Sequence, residues 1–274
     1  MIKLIASDLD GTLLQGTGEI SEEVVMQIKK LSQMGILFVA ASGRQYPNLR
    51  RLFEPVKDEI AYICENGALV VYKDQVLHKD VFNKDLEEEL LNSILETEGV
   101  EALVSGERTS YIKPKDPGFY DYIAHFVKND TTVFEKKEEI QEPFLKVSVY
   151  DEAGVEAIYP DWKARFGERA TVVTSGFAWL DMMPKGADKG NAIKVLQEKL
   201  GIGRDACAAF GDNYNDLEML AQVKYSFATG DAKEAVKKIC FSETKQVETV
   251  LERIINEGGE VKRTNSVKNV WSPF

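Results

Sequence analysis

Ile2–Ser7 is a short apolar run that ends in acid and glycine, the pattern of a buried strand. A helix is predicted next. Ser21 suits the N-cap, Glu22 and Glu23 favour the first turn, and Val24, Ile28 and Leu31 share one face. Gly35 stops that helix, and Ile36–Ala41 is again continuously apolar before Ser42-Gly43. The same beat returns late in the chain. Asn191–Leu200 predicts a helix, Ala206–Phe210 a strand, Leu217–Ala221 a helix face and Tyr225–Thr229 a strand. Val247, Val250, Leu251 and Ile254 give a final helix its apolar stripe. Strands without alternation, separated by amphipathic helices, imply a parallel sheet covered on both faces.

The middle breaks this rhythm. Lys84–Glu98 predicts an amphipathic helix, and Glu101–Lys113 two strands that turn near Gly106-Glu107. Phe119–Lys128 and Glu152–Phe166 read as helical, Phe144–Tyr150 as a strand, and Ala170–Met183 as two strands. Neighbouring strands without intervening helices predict an antiparallel sheet with helices on one side. The expected fold class is therefore α/β, with a Rossmann-like parallel-sheet core formed by residues 1–82 and 184–274. An α+β cap domain, residues 83–183, is inserted into it. The stretch from Gly258 to Phe274 has little periodicity and reads as an extension.

Charge narrows the partners. The 274 residues carry 34 basic and 45 acidic side chains, a net charge of −11. That balance argues against nucleic acid as the main partner while leaving room for a small phosphorylated molecule in a local basic pocket. Three scattered cysteines form no CxxC pair and suggest neither a disulfide framework nor a zinc site. Two histidines exclude a histidine-rich metal centre. The first residues lack a signal-peptide core, and no run approaches the roughly 18 apolar residues of a membrane span. The expectation is a cytoplasmic monomer or homodimer without a membrane partner.

Four polar clusters sit where predicted core strands end, which is where open α/β sheets carry their sites. Asp8-Leu9-Asp10-Gly11-Thr12-Leu13-Leu14 sets two carboxylates at a strand end, with Gly11 free to turn sharply. Alone it reads best as an Asp-Gly turn. Ser42-Gly43-Arg44 offers a hydroxyl and free N–H groups to an anion, or merely an N-cap. Lys185-Gly186-Ala187-Asp188-Lys189-Gly190 leads into the helix at Asn191, where a lysine opposes the macrodipole unless it reaches an anion, or is merely exposed and solvated. Gly211-Asp212-Asn213-Tyr214-Asn215-Asp216 adds acids suited to a hard cation, or to capping a turn. Together the four supply what phosphoryl transfer requires, a nucleophile and a cationic clamp.

In order and spacing these segments resemble motifs one to four of the haloacid dehalogenase superfamily. The long insertion between the second and third motifs is similar to that of the Cof-type phosphatases with a class IIB cap. Asn66-Gly67-Ala68 matches a further segment of that group. The resemblance implies that Asp8 attacks phosphorus to form an aspartyl-phosphate, and that Asp10 protonates the leaving oxygen and later activates water. It implies that Ser42, Gly43, Lys189 and Asn215 hold the phosphoryl oxygens. Mg²⁺ would be bound by the Asp8 carboxylate, the Asp10 backbone carbonyl and Asp212, with Asp216 acting through water and by orienting Lys189.

The implied activity is Mg²⁺-dependent hydrolysis of a small phosphorylated metabolite, such as a sugar phosphate or a phosphorylated cofactor. A phosphomutase on the same site, and a non-catalytic ligand-binding regulator, are the alternatives. Tyr122 and His125 are candidate substrate contacts in the cap. The three tryptophans, Trp162, Trp179 and Trp271, read as packing or interface residues, and Cys64 and Cys207 as small core residues.

Overall fold

The computed structural model describes residues 1–14 and 18–261. In chain order, β1 (Leu4–Ser7), α1 (Glu22–Gln33), β2 (Leu37–Ala41), α2 (Tyr46–Leu52) and β3 (Ala61–Cys64) come first. A hairpin of β4 (Leu69–Tyr72) and β5 (Gln75–Lys79) follows. Then come α3 (Lys84–Glu96), β6 (Glu101–Ser105), β7 (Ser110–Ile112), α4 (Pro117–Asp121), β8 (Thr131–Val133) and β9 (Lys146–Tyr150). They are succeeded by α5 (Tyr159–Phe166), β10 (Ala170–Thr174) and β11 (Trp179–Pro184). The last third is α6 (Lys189–Leu200), β12 (Cys207–Gly211), α7 (Leu217–Gln222), β13 (Tyr225–Thr229), α8 (Glu234–Ile239), β14 (Ser242–Thr244) and α9 (Val247–Asn256).

The larger sheet has the order β14-β13-β12-β1-β2-β3-β4-β5. Its strands are parallel from β14 to β3, as the apolar runs require. Ile5 of β1 packs in one apolar cluster with residues of α1, α2 and α9, whereas Leu4 and Ala6 pack in another with residues of α6, α7 and α8. Burial on both faces removes any reason for alternation in that strand. One edge departs from the expected parallel sheet, since β4 and β5 are antiparallel. Lys73 and Asp74 both adopt positive φ, 52° and 57°, and close that hairpin tightly without a crossover helix.

The second sheet has the order β10-β11-β9-β6-β7-β8. It is antiparallel as expected, except that β7 and β8 run parallel. Leu86, Leu90, Leu91 and Ile94 of α3, with Trp162 and Phe166 of α5, cover one face through Val104, Val147, Val149 and Met182. The helix predicted over 152–166 starts only at Tyr159, because Gly154 turns at φ 103° and Pro160 favours a helix start. Strand alternation sends Lys146, Ser148 and Asp181 to the opposite face, where they line a cavity shared with the larger sheet.

At the end of α9, Gly259 accepts a hydrogen bond from the Ile2 backbone N–H at 2.6 Å, which ties this segment to the start of β1. The rest of the expected extension, residues 262–274 with Trp271 among them, lies outside the described residues. Among the described residues no helix is long and apolar enough to cross a membrane.

Candidate active site

Asp8 follows β1 and is buried at 7% exposure. Beyond it the chain makes one wide turn, Leu9–Leu13, closed by the Leu14 N–H donating to the Leu9 carbonyl at 2.9 Å. Gly11 carries φ 88°, and a Cβ there would lie 2.7 Å from Asp212 Oδ2. Any other residue would both strain the turn and push Asp212 aside. The glycine therefore lets the Asp8 and Asp212 loops close on each other.

Lys189, the first residue of α6, is fully buried. Its Nζ donates to Asp8 Oδ1 at 2.5 Å and to Asp216 Oδ1 at 2.7 Å. The helix start is set by Asp188, whose Oδ1 accepts from the Asn191 N–H at 2.8 Å. Asp216 is fixed from its other side, since Oδ2 accepts from the N–H groups of Asp212 and Asn213 at 3.0 and 3.1 Å. Burial opposes the lysine's charge, but Asp216 and then Asp8 hold its ammonium above the ordinary range. Burial also pushes the Asp8 carboxyl up to about 7, against the pull of Lys189 and with the help of Asp216 and Asp212. One cation thus faces more carboxylate than it neutralises.

That surplus is what a divalent ion would balance. Asp8, Asp212 and Asp216 each bring a carboxylate oxygen within 4.8 Å of the others. All-oxygen, anionic donors fit Mg²⁺ by charge and hardness. Asp212 is oriented by the Thr12 hydroxyl, which donates to its Oδ1 at 2.7 Å and stands 3.0 Å from the Thr229 hydroxyl. Asp216 accepts three hydrogen bonds, one on Oδ1 and two on Oδ2, which leaves it fewer lone pairs for an ion than Asp8 or Asp212, each with one oxygen bonded to Lys189 or Thr12.

The second cluster lies beside these groups. Ser42 is buried after β2, and its Oγ accepts from the Arg44 N–H at 3.2 Å. Asn215 Nδ2 donates to Asn66 Oδ1 at 3.2 Å, and a Cβ on Gly43 would lie 3.1 Å from Asn66 Nδ2. Asn66 therefore joins Gly43 to Asn215. Its neighbour Gly67 has φ 108°, and a Cβ there would fall 2.2 Å from the Asp188 carbonyl oxygen. This close approach packs the loop after β3 against the start of α6.

Asp10 is placed differently from its neighbour. Its side chain is 60% exposed and forms a two-point pair with Arg44, Nε to Oδ2 at 3.0 Å and Nη2 to Oδ1 at 2.5 Å. The sequence brought Arg44 into the second cluster but held no sign of this pairing.

A cavity of about 930 Å³ joins Asp8, Asp10, Ser42, Gly43 and Asn215 to the second sheet. Across it, Lys146 Nζ donates to the Gly43 carbonyl at 3.0 Å, pairs with Glu65 at 2.7 Å and lies 3.8 Å from Asp181. These residues escaped the sequence reading. The alternation Lys146-Val147-Ser148-Val149 held a usable signal, but not which face meets the core. Trp179 lines this cavity as well as packing against Phe119, Tyr122 and Tyr150. Tyr122 instead lines a separate cavity of about 620 Å³, and His125 is exposed beside Asp121, lining neither. Cys64 and Cys207 are buried, as expected.

Comparisons with known proteins agree with this architecture. The profile of the haloacid dehalogenase-like hydrolases matches residues 5–250. The chain is 31% identical over 242 residues to the 5-amino-6-(5-phospho-D-ribitylamino)uracil phosphatase YbjI of Escherichia coli, covering 86% of this chain and 88% of that one. It is 26% identical over 237 residues to the HMP-PP phosphatase of an Enterobacter species, covering 85% of each. The crystal structure of TM0651 from Thermotoga maritima superposes with a TM-score of 0.82 at 27% identity, covering 93% of this chain and 98% of that one. The chain belongs to the haloacid dehalogenase-like hydrolases, with the inserted α+β unit of their Cof-type members.

Proposed function

We propose that this protein is a Mg²⁺-dependent phosphatase that hydrolyses a small phosphorylated metabolite, a sugar phosphate or a phosphorylated cofactor, through an aspartyl-phosphate on Asp8. The observation that carries this reading is the buried Lys189, bridging Asp8 and Asp216 with Asp212 alongside. A carboxylate nucleophile must approach an anionic phosphate, and only local positive charge offsets that repulsion. The relatives named for phosphorylated aminouracil and HMP-PP substrates support the same class.

In this reading Asp8 attacks phosphorus while Lys189, Ser42, the Gly43 N–H and Asn215 hold the phosphoryl oxygens. Asp10 gives its proton to the leaving oxygen, then takes one from the water that hydrolyses the intermediate. For that step it must leave Arg44, and the exposure of the pair makes the release inexpensive. Asp8, the Asp10 carbonyl and Asp212 would hold Mg²⁺, which when bound neutralises charge on the phosphoryl group. Asp216 keeps Lys189 in place. Residues 83–183 act as a cap that shields the phosphoryl group from water and bears on the leaving group.

The test is release of inorganic phosphate from p-nitrophenyl phosphate. Turnover with Mg²⁺, its loss in chelator and its weakening in Asp212→Ala support the proposal. Full activity in chelator removes the metal assignment.

A further inference from the structure

Lys146 is the first residue of β9, in the second sheet, yet its ammonium lies against Gly43 and Glu65, which belong to loops of the larger one. The preceding Leu145 is buried in an apolar cluster of the larger sheet, and its N–H donates to the Ser105 carbonyl at 2.9 Å. The lysine is thus presented by a segment fixed to both sheets. Only 10% of its side chain is exposed. Burial opposes the ammonium charge, and Asp181 and Glu65 together more than offset it. A buried group of ions can be exchanged for well-packed apolar side chains without loss of stability, so packing alone gives no reason for a cation here.

The lysine reaches the segment that the phosphatase reading assigns to the phosphoryl oxygens. All three carbonyls of Ser42–Arg44 are engaged. The Ser42 carbonyl accepts the Asn66 N–H at 3.0 Å, and the Arg44 carbonyl accepts the Glu65 N–H at 3.2 Å. The Gly43 carbonyl accepts Lys146 Nζ at 3.0 Å. This carbonyl and the Arg44 N–H belong to one planar peptide unit, and that N–H donates to Ser42 Oγ at 3.2 Å. Lys146 therefore holds one end of the plane and the Ser42 hydroxyl meets the other. A cation on the carbonyl also polarises the peptide and makes its N–H the stronger donor. With one lone pair of Oγ engaged in this way, the hydroxyl hydrogen is left to turn into the cavity that Ser42 lines with Asp8.

We propose that Lys146 is a positioning residue of the phosphate site: through the Gly43–Arg44 peptide it aims the Ser42 hydroxyl at the phosphoryl group without touching the substrate itself. The inference rests on the phosphatase reading. It makes the second sheet a part of phosphate binding for every phosphomonoester, independent of the leaving group.

The experiment is a double-mutant cycle between Lys146→Met and Ser42→Ala. It is read by kcat/KM for p-nitrophenyl phosphate with Mg²⁺ and by inhibition with orthovanadate. The cycle is run in wild type and again in Glu65→Gln protein, where loss of the lysine leaves no unpaired Glu65 carboxylate. With Ser42 present, Lys146→Met is expected to lower kcat/KM and vanadate affinity about 10- to 100-fold each. With Ser42→Ala there is no hydroxyl to aim, and the same substitution is expected to cost no more than about threefold. General damage to the fold, or direct contact between the lysine and the phosphoryl group, would cost the same factor with and without the hydroxyl. Equal factors therefore overturn the positioning role and leave the phosphatase standing. So does a Glu65→Gln/Lys146→Met protein that does not fold, because the lysine would then be required by the fold itself. A wild type that releases no phosphate from the aryl ester ends the phosphatase reading, and the positioning role with it.

Discussion

Lys189 separates two carboxylates that would otherwise repel each other in a dry interior. Replacing it by methionine leaves Asp8 and Asp216 buried and unpaired. Urea unfolding is expected to show a loss of about 3–5 kcal/mol. Phosphatase activity is expected to fall by at least about a hundredfold, since the charge facing the phosphoryl group is lost. Unchanged stability would contradict the bridge. Asp8 gives a pH signature in metal-free protein. Its folded-state value of about 7 lies above the 3.8 of the free side chain. Between those values the folded state holds a proton that the unfolded state has lost, so stability falls as pH rises, by on the order of 1 kcal/mol per pH unit. In chelator, wild type is therefore expected to lose stability relative to Asp8→Asn from about pH 4.5 to about pH 7. The opposite slope would mean that Lys189 outweighs burial.

The elements that carry these residues were largely legible in the chain. β1, β2 and β12 are apolar along almost their whole length because both of their faces are covered, and the polar clusters stand where those runs stop or where α6 begins. The β4–β5 edge was not legible, since a hairpin closed by Lys73-Asp74 lacks the glycine that usually marks one. Nor was the Arg44–Asp10 pair, which depends on side-chain rotamers and not on pattern. Asn66-Gly67 was visible as a matching segment, but its physical reason appears only in the packing. The loop after β3 meets the start of α6 so closely that Gly67→Ala puts a methyl group into the Asp188 carbonyl, at a φ that alanine resists. A stability loss of about 2 kcal/mol or more is expected from thermal or urea melts, together with reduced turnover as Lys189 shifts. A variant as stable and active as wild type would show that this contact does not hold the site.

At the scale of the whole molecule, the two sheets meet through polar contacts as well as through an apolar cluster in which Leu145, Met183 and Val173 join residues of the larger sheet and its helices. Asn48 Nδ2 donates to the Val127 carbonyl at 2.8 Å, Arg51 pairs with Asp130 at 2.7 Å, and Lys146 joins Gly43 and Glu65. Of the two ion pairs among these, Arg51–Asp130 is half exposed and Lys146–Glu65 is buried. Burial raises the Glu65 carboxyl, and the nearby Lys146 pulls it back only in part. Lys146→Met is thus expected to cost about 3–5 kcal/mol, with Lys146→Arg recovering part of it; a loss below about 1 kcal/mol would contradict its role as the joint.

The central claim is that Asp8 is phosphorylated during turnover. Wild type mixed with a radiolabelled phosphomonoester and Mg²⁺, quenched in acid within the first turnover and digested, tests it most directly. The account predicts a hydroxylamine-sensitive label on the peptide containing Asp8, absent from Asp8→Asn, which also loses turnover. A label on another residue, or an Asp8→Asn protein that turns over at near the wild-type rate, would contradict it.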